Sequence, residues 1–360
     1  MATTAGRTQV RSIPSDPSLL NRLGLTDVAW SHCMSLIRLL AIAFLAAGAA
    51  LTGLRAAEPL KVAYSDWPGW VAWEVAIQKG WFKEAGVDVD FVWFEYVPSM
   101  EALAAGQVDA CCMTNGDALV TGATGKRSIG IVLNDYSNGN DMIVAKPGIA
   151  SMKDLKGKKI GVEVGFVDHL LVLKALEANG MSEADVEIIN IVTTDTPQAL
   201  ASGQVDAIAA WQPSSGQALA QVPGSKAIFS SADVKGVIYD ALYVTPESLN
   251  TRRADWAKVV SVWPRIVAFI QDPATQPEAL QIMAARVGLD AATYKPLLAG
   301  TFLLDAAGNK KHSMPGDGLE SVFGSTVIVN AFNEKNAVYD AGAAGDLSSY
   351  FDASLVNELK

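Results

Sequence analysis

Residues 103–110 read LAAGQVDA, and residues 200–207 read LASGQVDA. The two segments differ at one of eight positions, and each precedes a short apolar run, a polar turn and a further apolar stretch. Gly106 and Gly203 are each placed to end a helix in the left-handed conformation. Repetition of such a helix–strand unit predicts two similarly built α/β lobes.

Strands and helices alternate outward from this repeat. Strands are predicted at 60–64, 87–94, 129–133, 159–164, 186–192 and 227–229, and helices at 70–83 and 167–178. Further helices are predicted at 255–271, 275–287, 291–302 and 346–358. Strands separated by helices of this length predict parallel or mixed sheets with helices on both faces.

Two extended apolar segments, Asp141–Lys146 and Tyr239–Val244, are predicted to cross between the lobes. The resulting domain assignment is lobe 1 over 58–143 and 243–360, and lobe 2 over 144–242. Two crossings make a two-strand hinge, and ligands of such folds bind in the crevice at the carboxyl ends of the strands.

The N-terminus resembles an export signal. From Met34 the chain reads MSLIRLLAIAFLAAGAALTGLRAAEP, with a basic residue, a short apolar run and small residues before Glu58. This pattern predicts a signal peptide over 34–57 and a periplasmic protein. The apolar run is shorter than the roughly 20 residues that a membrane span needs. Residues 1–33 are interpreted as a non-native or mis-started leader.

Composition argues against several classes of partner. The net charge is −10 and the chain has no Lys/Arg run, which disfavours nucleic acid and anionic membranes. The adjacent Cys111 and Cys112 are expected to be buried thiols. His169 and His312 lie far apart in the sequence, so we predict neither a metal site nor a cofactor.

Three segments carry a family resemblance: Gln78–Phe91, Ala104–Ala110 and Met152–Val162. They resemble the nitrate/sulfonate/taurine class of ABC solute-binding proteins. Residues 112–119 and 135–141 are similar to a subgroup encoded near urea carboxylase, with urea- or guanidine-like solutes expected. The resemblance implies a two-lobed α/β fold of the periplasmic-binding-protein type (type II). It also implies a monomer without catalytic activity that delivers a small solute to an inner-membrane ABC permease.

The chain departs from the sulfonate binders of this class at one turn. Those proteins present small hydroxylated residues at a helix start in the second lobe, where backbone N–H groups favour an anion. Here the turn is Gly165-Phe166-Val167-Asp168-His169. A carboxylate at Asp168 would compete with an anionic ligand, which puts sulfonate and nitrate in doubt.

Carboxylates, amides and aromatic rings collect at the predicted strand ends, and no Lys or Arg falls on the same loops. Aromatic faces attract ammonium and guanidinium groups, and carboxylates accept paired hydrogen bonds from guanidinium. The sequence therefore predicts a cleft for a small organic cation that is guanidinium- or amine-like. The candidate ligand-binding residues are Asp66, Trp67, Trp70, Asn115, Asp117, Asp135, Asn138, Asp141, Glu163, Phe166, Asp168, His169, Trp211 and Asp240.

Several of these residues also have structural interpretations. Asp66, Asp117 and Asp168 could cap helices, and Asp135 and Asp141 could hold Asx turns. One of Trp70 and Trp73 is expected in the core.

Other functions stay open on the same fold. One alternative ligand is a neutral urea-like or an anionic sulfonate or nitrate solute. An enzyme that resembles the pyrimidine synthases of thiamine biosynthesis, and a periplasmic sensor domain, are the alternatives from other classes.

Overall fold

The computed structural model describes residues 58–359. The predicted leader over 1–33 and the signal peptide over 34–57 lie outside these residues. Pro59 onward forms one compact unit. Among the described helices, none combines the length and apolar character that a membrane crossing requires.

Eleven strands of the described chain form two mixed sheets. Their bounds are β1 Leu60–Tyr64, β2 Val89–Trp93, β3 Ala110–Thr114, β4 Ile129–Ser137, β5 Met142–Ala145, β6 Lys159–Val162, β7 Glu187–Asn190, β8 Ala207–Ala210, β9 Lys226–Ser230, β10 Tyr239–Val244 and β11 Thr301–Leu303. The larger sheet has the order β11-β4-β10-β3-β1-β2, and the smaller has the order β7-β6-β8-β5-β9. Each combines parallel pairs (β1 with β2 and β3, β6 with β7 and β8) with antiparallel ones. The two-lobed type II fold predicted from sequence is confirmed.

Helices cover the faces of both sheets. Their bounds are α1 Pro68–Val71, α2 Trp73–Lys79, α3 Trp81–Glu84, α4 Tyr96–Ala104, α5 Asn115–Ala123, α6 Val167–Ala178, α7 Thr196–Ser202, α8 Ser214–Gln221, α9 Pro246–Thr251, α10 Arg253–Gln271, α11 Gln276–Arg286, α12 Ala291–Tyr294, α13 Ala306–His312, α14 Val322–Lys335 and α15 Ser354–Asn357. Short 3-10 turns connect several of them.

The sequence repeat occupies equivalent places in the two sheets. Each copy ends a helix and starts a strand, β3 or β8, that pairs in parallel with β1 or β6. Asp109 accepts a hydrogen bond from the backbone N–H of Lys61 at 2.9 Å, and Asp206 accepts one from Lys159 at 3.0 Å. The repeated Asp therefore has the same structural role in both lobes.

The chain passes between the sheets twice, after β4 and before β10. The first passage lies between Ser137 and Met142, and the second lies between Ser230 and Tyr239. The predicted crossing segments are therefore largely strands, β5 and β10. The predicted lobe boundaries at 143/144 and 242/243 fall inside these strands, and the assignment by residue number stays a prediction.

The C-terminal third differs from the sequence prediction in several places. Helices α13 and α14 were not predicted, and the helix predicted over 346–358 is instead a 3-10 turn over Leu347–Tyr350 followed by α15. The helix predicted over 291–302 is instead α12, a 3-10 turn over Lys295–Leu298 and strand β11. Pro296 and Gly300 interrupt the helical pattern, and β11 forms by antiparallel pairing with β4. This pairing widens the larger sheet beside the hinge.

Candidate functional site

Two neighbouring strands of the larger sheet bring two carboxyl groups together. Asp135 on β4 lies opposite Asp240 on β10, and their side chains share a hydrogen bond. Both side chains are buried, and burial raises both pKa values well above the usual range for Asp. A hydrogen bond between carboxyl groups needs a proton on one of them, so the pair carries at most one negative charge.

The turn that follows β1 lies directly over Asp135. The indole N–H of Trp67 donates to both Asp135 oxygens, at 3.1 and 3.2 Å. A Cβ atom added at Gly69 would lie 1.7 Å from Asp135 Oδ2. Only glycine therefore allows the backbone to approach this carboxyl group so closely.

Asp117 joins the N-terminal ends of two helices. Thr114 caps α5 and accepts from the Asp117 backbone N–H at 3.0 Å. The Asp117 side chain accepts from the Tyr96 hydroxyl at 2.6 Å and from the backbone N–H of Val167, the first residue of α6. Burial raises the Asp117 pKa to about 7, although these hydrogen bonds oppose the shift.

Asp168 lies in the first turn of α6, which follows a strand of the smaller sheet. It is 1% exposed, and neither carboxylate oxygen has a hydrogen-bond partner among the described residues. Asp141, which accepts from the Ser137 hydroxyl, and Glu163, which accepts from Thr193 at 3.1 Å, also act on it electrostatically. Burial, and then the charges of Asp141, Glu163 and Asp117, raise the Asp168 pKa well above its usual range.

A hydrogen bond connects the lobes at the other side of the cluster. The Trp211 indole N–H, just after β8, donates to Asp66 Oδ1, just after β1, at 2.9 Å. Burial raises the Asp66 pKa to about 6. Asp66 caps no helix, because the residue at the start of α1 is Trp67 and its side chain makes no capping bond.

Aromatic rings line the same region. Trp67 and Trp70 have centroids 6.4 Å apart, Trp70 lies 4.9 Å from Tyr96, and Tyr96 meets Trp211 edge-on at 5.3 Å. Trp73 is fully buried and lies 4.6 Å from Trp263. Trp70 is 2% exposed, so both members of the Trp70/Trp73 pair belong to the core.

Four predicted residues either lie outside this group of carboxylates or have polar atoms that bond to other parts of the chain. The Asn115 amide donates to Ser325 at 3.0 Å and accepts from the backbone of Tyr239 at 3.0 Å. His169 accepts from the Gly165 backbone N–H at 3.2 Å, and its Nε2 lies 3.6 Å from Glu183. Asn138 is half-buried beyond the end of β4, and Phe166 is half-buried against the core.

Tyr96 is the site residue that sequence reasoning missed. It begins α4 just after β2, at the carboxyl end of a parallel strand, and its hydroxyl binds both Asp117 and the Thr114 backbone N–H. Its position after a strand was the available signal.

These carboxylates form an acidic cluster that no basic side chain of the described residues neutralises. Among residues 58–359, no Lys, Arg or His forms an ion pair with Asp66, Asp117, Asp135, Asp141, Glu163, Asp168 or Asp240. No group of three or more His, Cys, Asp or Glu side chains in this range has a geometry that could hold a metal ion. Cys111 and Cys112 are both buried, and burial raises the Cys111 thiol pKa to about 12.

Two cavities flank the cluster. One, of about 230 Å³, is lined by Asp66, Glu95 and Pro213 among others. The other, of about 10 Å³, lies beside Asp117 and Phe166 and has room for at most one water. The lobes are therefore closed on each other around the carboxylates.

Curated relatives cover part of the chain. A binding protein of Brucella abortus (strain 2308) is 35% identical over 197 residues, which are 53% of this chain and 61% of that protein. The taurine-binding periplasmic protein of Escherichia coli (strain K12) is 30% identical over 159 residues, 44% of this chain and 46% of that protein. A thiamine biosynthesis protein of Haemophilus influenzae (strain ATCC 51907 / DSM 11121 / KW20 / Rd) is 33% identical over 154 residues, 40% of this chain and 47% of that protein. The chain thus spans less than two thirds of the length of these relatives.

The fold has solved counterparts. The alkanesulfonate-binding protein from Xanthomonas axonopodis pv. citri superposes with a TM-score of 0.67 at 18% identity, over 83% of this chain and all of that one. The profile of the family described as NMT1/THI5 like matches residues 68–262, which is more than half of the chain. The chain therefore belongs to the NMT1/THI5-like family.

Proposed function

We propose that the chain is the solute-binding component of a bacterial ABC importer. It captures a small molecule between its lobes in the periplasm and delivers it, as a monomer and without chemistry, to an inner-membrane permease. The observation that carries this proposal is the meeting of carboxylates and aromatic rings from both lobes at the strand ends, where Trp211 bonds to Asp66. The binding proteins among its relatives support the same function.

The names of the relatives favour the anionic alternative for the ligand. The Escherichia coli relative is named for taurine, and the structural counterpart is named for alkanesulfonate. Taurine is a zwitterion, so its ammonium group is compatible with an acidic cleft. A sulfonate is therefore the candidate that the comparisons support better than the cation predicted from sequence.

The chemistry of this cleft favours the cation as a second candidate. The buried carboxylates have no basic partner in the described part of the chain, and Asp168 has two unpartnered oxygens. Placing an isolated anion among them would be strongly unfavourable, whereas a guanidinium or ammonium group would supply hydrogen-bond donors and the missing charge. The rings of Trp67, Trp70 and Tyr96 could add cation–π contacts.

Calorimetry with guanidinium, a choline-like amine, urea, taurine and nitrate distinguishes these ligands. We expect one site per chain and saturable binding of at least one solute. Binding of guanidinium or the amine supports the cation, and binding of taurine alone supports the sulfonate. Failure of every solute to bind, with the protein folded, contradicts import of this group of compounds.

Matched variants place the site. We expect Asp135→Asn to weaken binding of the identified solute by about tenfold or more. The reason is that the variant loses one charge-assisted hydrogen bond to the solute. Asp90→Asn, at an exposed position on β2, should leave it unchanged. Equal affinities for both variants would show that the solute binds elsewhere.

The enzyme and sensor alternatives have less support. A relative is named for thiamine biosynthesis, which keeps an enzyme on this fold under consideration. The buried thiols stay protonated near neutral pH, because their pKa values are raised by burial. A periplasmic sensor would bind its solute in the same way as an importer component. A permease gene beside the gene for this chain would favour import over sensing.

A further inference from the structure

Asp117 and Asp168 belong to different sheets of the fold, and Asp117 acts electrostatically on Asp168 across the cleft. Asp117 lies on α5, which follows a strand of the larger sheet, and Asp168 lies on α6, which follows a strand of the smaller one. The backbone N–H of Val167, at the start of α6, donates to Asp117. The closed cleft thus places one lobe's carboxylate at the other lobe's helix N-terminus.

This arrangement leaves an uncompensated charge. Asp168 is 1% exposed with both oxygens unpartnered, and a buried carboxylate in this condition is costly when ionised. His169, the next residue, makes its contacts with Gly165 and Glu183 instead. The titratable groups that interact with Asp117 or Asp168 are Tyr96, Cys111, Asp141, Glu163, Asp240 and Tyr243.

None of these groups is basic, so the described part of the chain supplies no counter-charge to Asp117 and Asp168. The N-terminus of α6 would otherwise attract an anion, but Asp117 already accepts from its first N–H. A group that enters between the two carboxylates gains from being positively charged and from donating hydrogen bonds.

We infer that closure of the cleft requires a positive charge between Asp117 and Asp168, supplied by a cationic group of the solute or, without solute, by protons. This inference rests on the proposed function as a binder that opens and closes. The inference assigns the selectivity for a positively charged solute to these two residues. Asp117 occupies the N-terminus of α6, which would otherwise attract an anion. Asp168 offers carboxylate oxygens that can accept hydrogen bonds from the solute.

Two consequences follow for proton binding. The empty protein should close at low pH and open as pH rises, because the closed form binds protons more tightly than the open one. Each proton taken up on closure changes the closed-to-open ratio about tenfold per pH unit. A cationic solute competes with these protons, so its affinity should fall as the pH is lowered.

Small-angle X-ray scattering of the secreted, solute-free protein between pH 5 and pH 8 tests the inference. We expect a compact form at pH 5 and an extended form at pH 8. Asp168→Asn and, independently, Asp117→Asn should keep the empty protein compact at higher pH, with a shift of about one pH unit or more. Asp90→Asn should follow the wild type. Circular dichroism identifies a variant that fails to fold, and the other variant then supplies the comparison.

The inference is overturned if the radius of gyration of the solute-free protein does not change with pH. It is also overturned if both variants fold and their radius of gyration changes with pH as in the wild type. Calorimetry with guanidinium and with taurine separates this failure from failure of the proposed function. Taurine binding that Asp168→Asn leaves unchanged would keep the solute-binding function and remove the charge requirement. If no solute binds and the radius of gyration is the same at every pH, both the proposed function and this inference are contradicted.

Discussion

Gly69 determines how closely the chain approaches Asp135. The space that a Cβ atom would need is occupied by Asp135 Oδ2 and by the Trp67 indole nitrogen, at 1.7 and 2.8 Å. We expect Gly69→Ala to displace the turn, break the Trp67–Asp135 hydrogen bonds and weaken solute binding at least about tenfold. Overpacking of this kind costs about 1–3 kcal/mol of folding free energy. Calorimetry and thermal melting measure the two effects.

Gly318→Ala is the matched control for this change. No atom lies within 4 Å of a Cβ added at Gly318, and its backbone does not require glycine. Both affinity and melting temperature should therefore stay near the wild-type values. Wild-type affinity in Gly69→Ala would show that Asp135 does not contribute to the site.

Sequence reasoning found most of the buried carboxylates, because strand ends of an α/β fold converge on one crevice. It could not assign their partners, because these depend on contacts between distant segments. Asn115 illustrates the limit, since its amide is used by Ser325 and Tyr239, which are 210 and 124 residues away. Tyr96 was missed because only its position after a strand, and not its residue type, pointed to the crevice.

At the level of elements, the repeated Asp links each helix–strand unit to its sheet. Asp109 and Asp206 accept equivalent backbone hydrogen bonds, although the side chains are half-buried. We expect Asp109→Ala and Asp206→Ala each to lower the free energy of unfolding by about 1 kcal/mol. Urea denaturation measures the change, and Asp90→Ala, exposed on β2, should show little effect. A large loss in only one of the two would contradict the equivalence of the lobes.

Several elements formed by local patterns were predicted well, but the helix predicted over 70–83 is divided into α1, α2 and α3, and strand segments formed by distant pairing were missed. Strand β1 and helix α6 have the predicted bounds. Strand β4 extends to Ser137, beyond the predicted end at Leu133, because β10 and β11 pair with its polar second half. The sequence did not predict this extension, because the polar residues Asn134 and Asp135 interrupt the apolar pattern of the strand.

For the whole molecule, the buried carboxylates set the dependence of stability on pH. Burial raises the pKa of Asp117 to about 7 and of Asp66 and Asp141 to about 6, whereas unfolding returns each to its ordinary value. The folded state then binds protons more tightly than the unfolded state. These groups stabilise the fold most at low pH, and their contribution is lost as pH rises through 6 and 7.

Surface carboxylates act in the opposite direction at lower pH. Asp154 and Asp290 accept backbone hydrogen bonds that lower their pKa, so their contribution is present at neutral pH and is lost only in acid, below about pH 4. The two effects together place maximal stability of the empty protein in mildly acidic solution.

We therefore expect the solute-free protein to melt about 5 °C higher at pH 5 than at pH 8, as measured by calorimetry. Asp117→Asn should reduce this difference, because the neutral amide has the size of the carboxyl group and does not titrate. A bound cation should also reduce it, since the ligand replaces protons as the source of positive charge. A melting temperature that is highest at pH 8 in the empty wild type, or an equal pH dependence in Asp117→Asn, would show that these carboxylates are solvated in solution and that the cleft stays open.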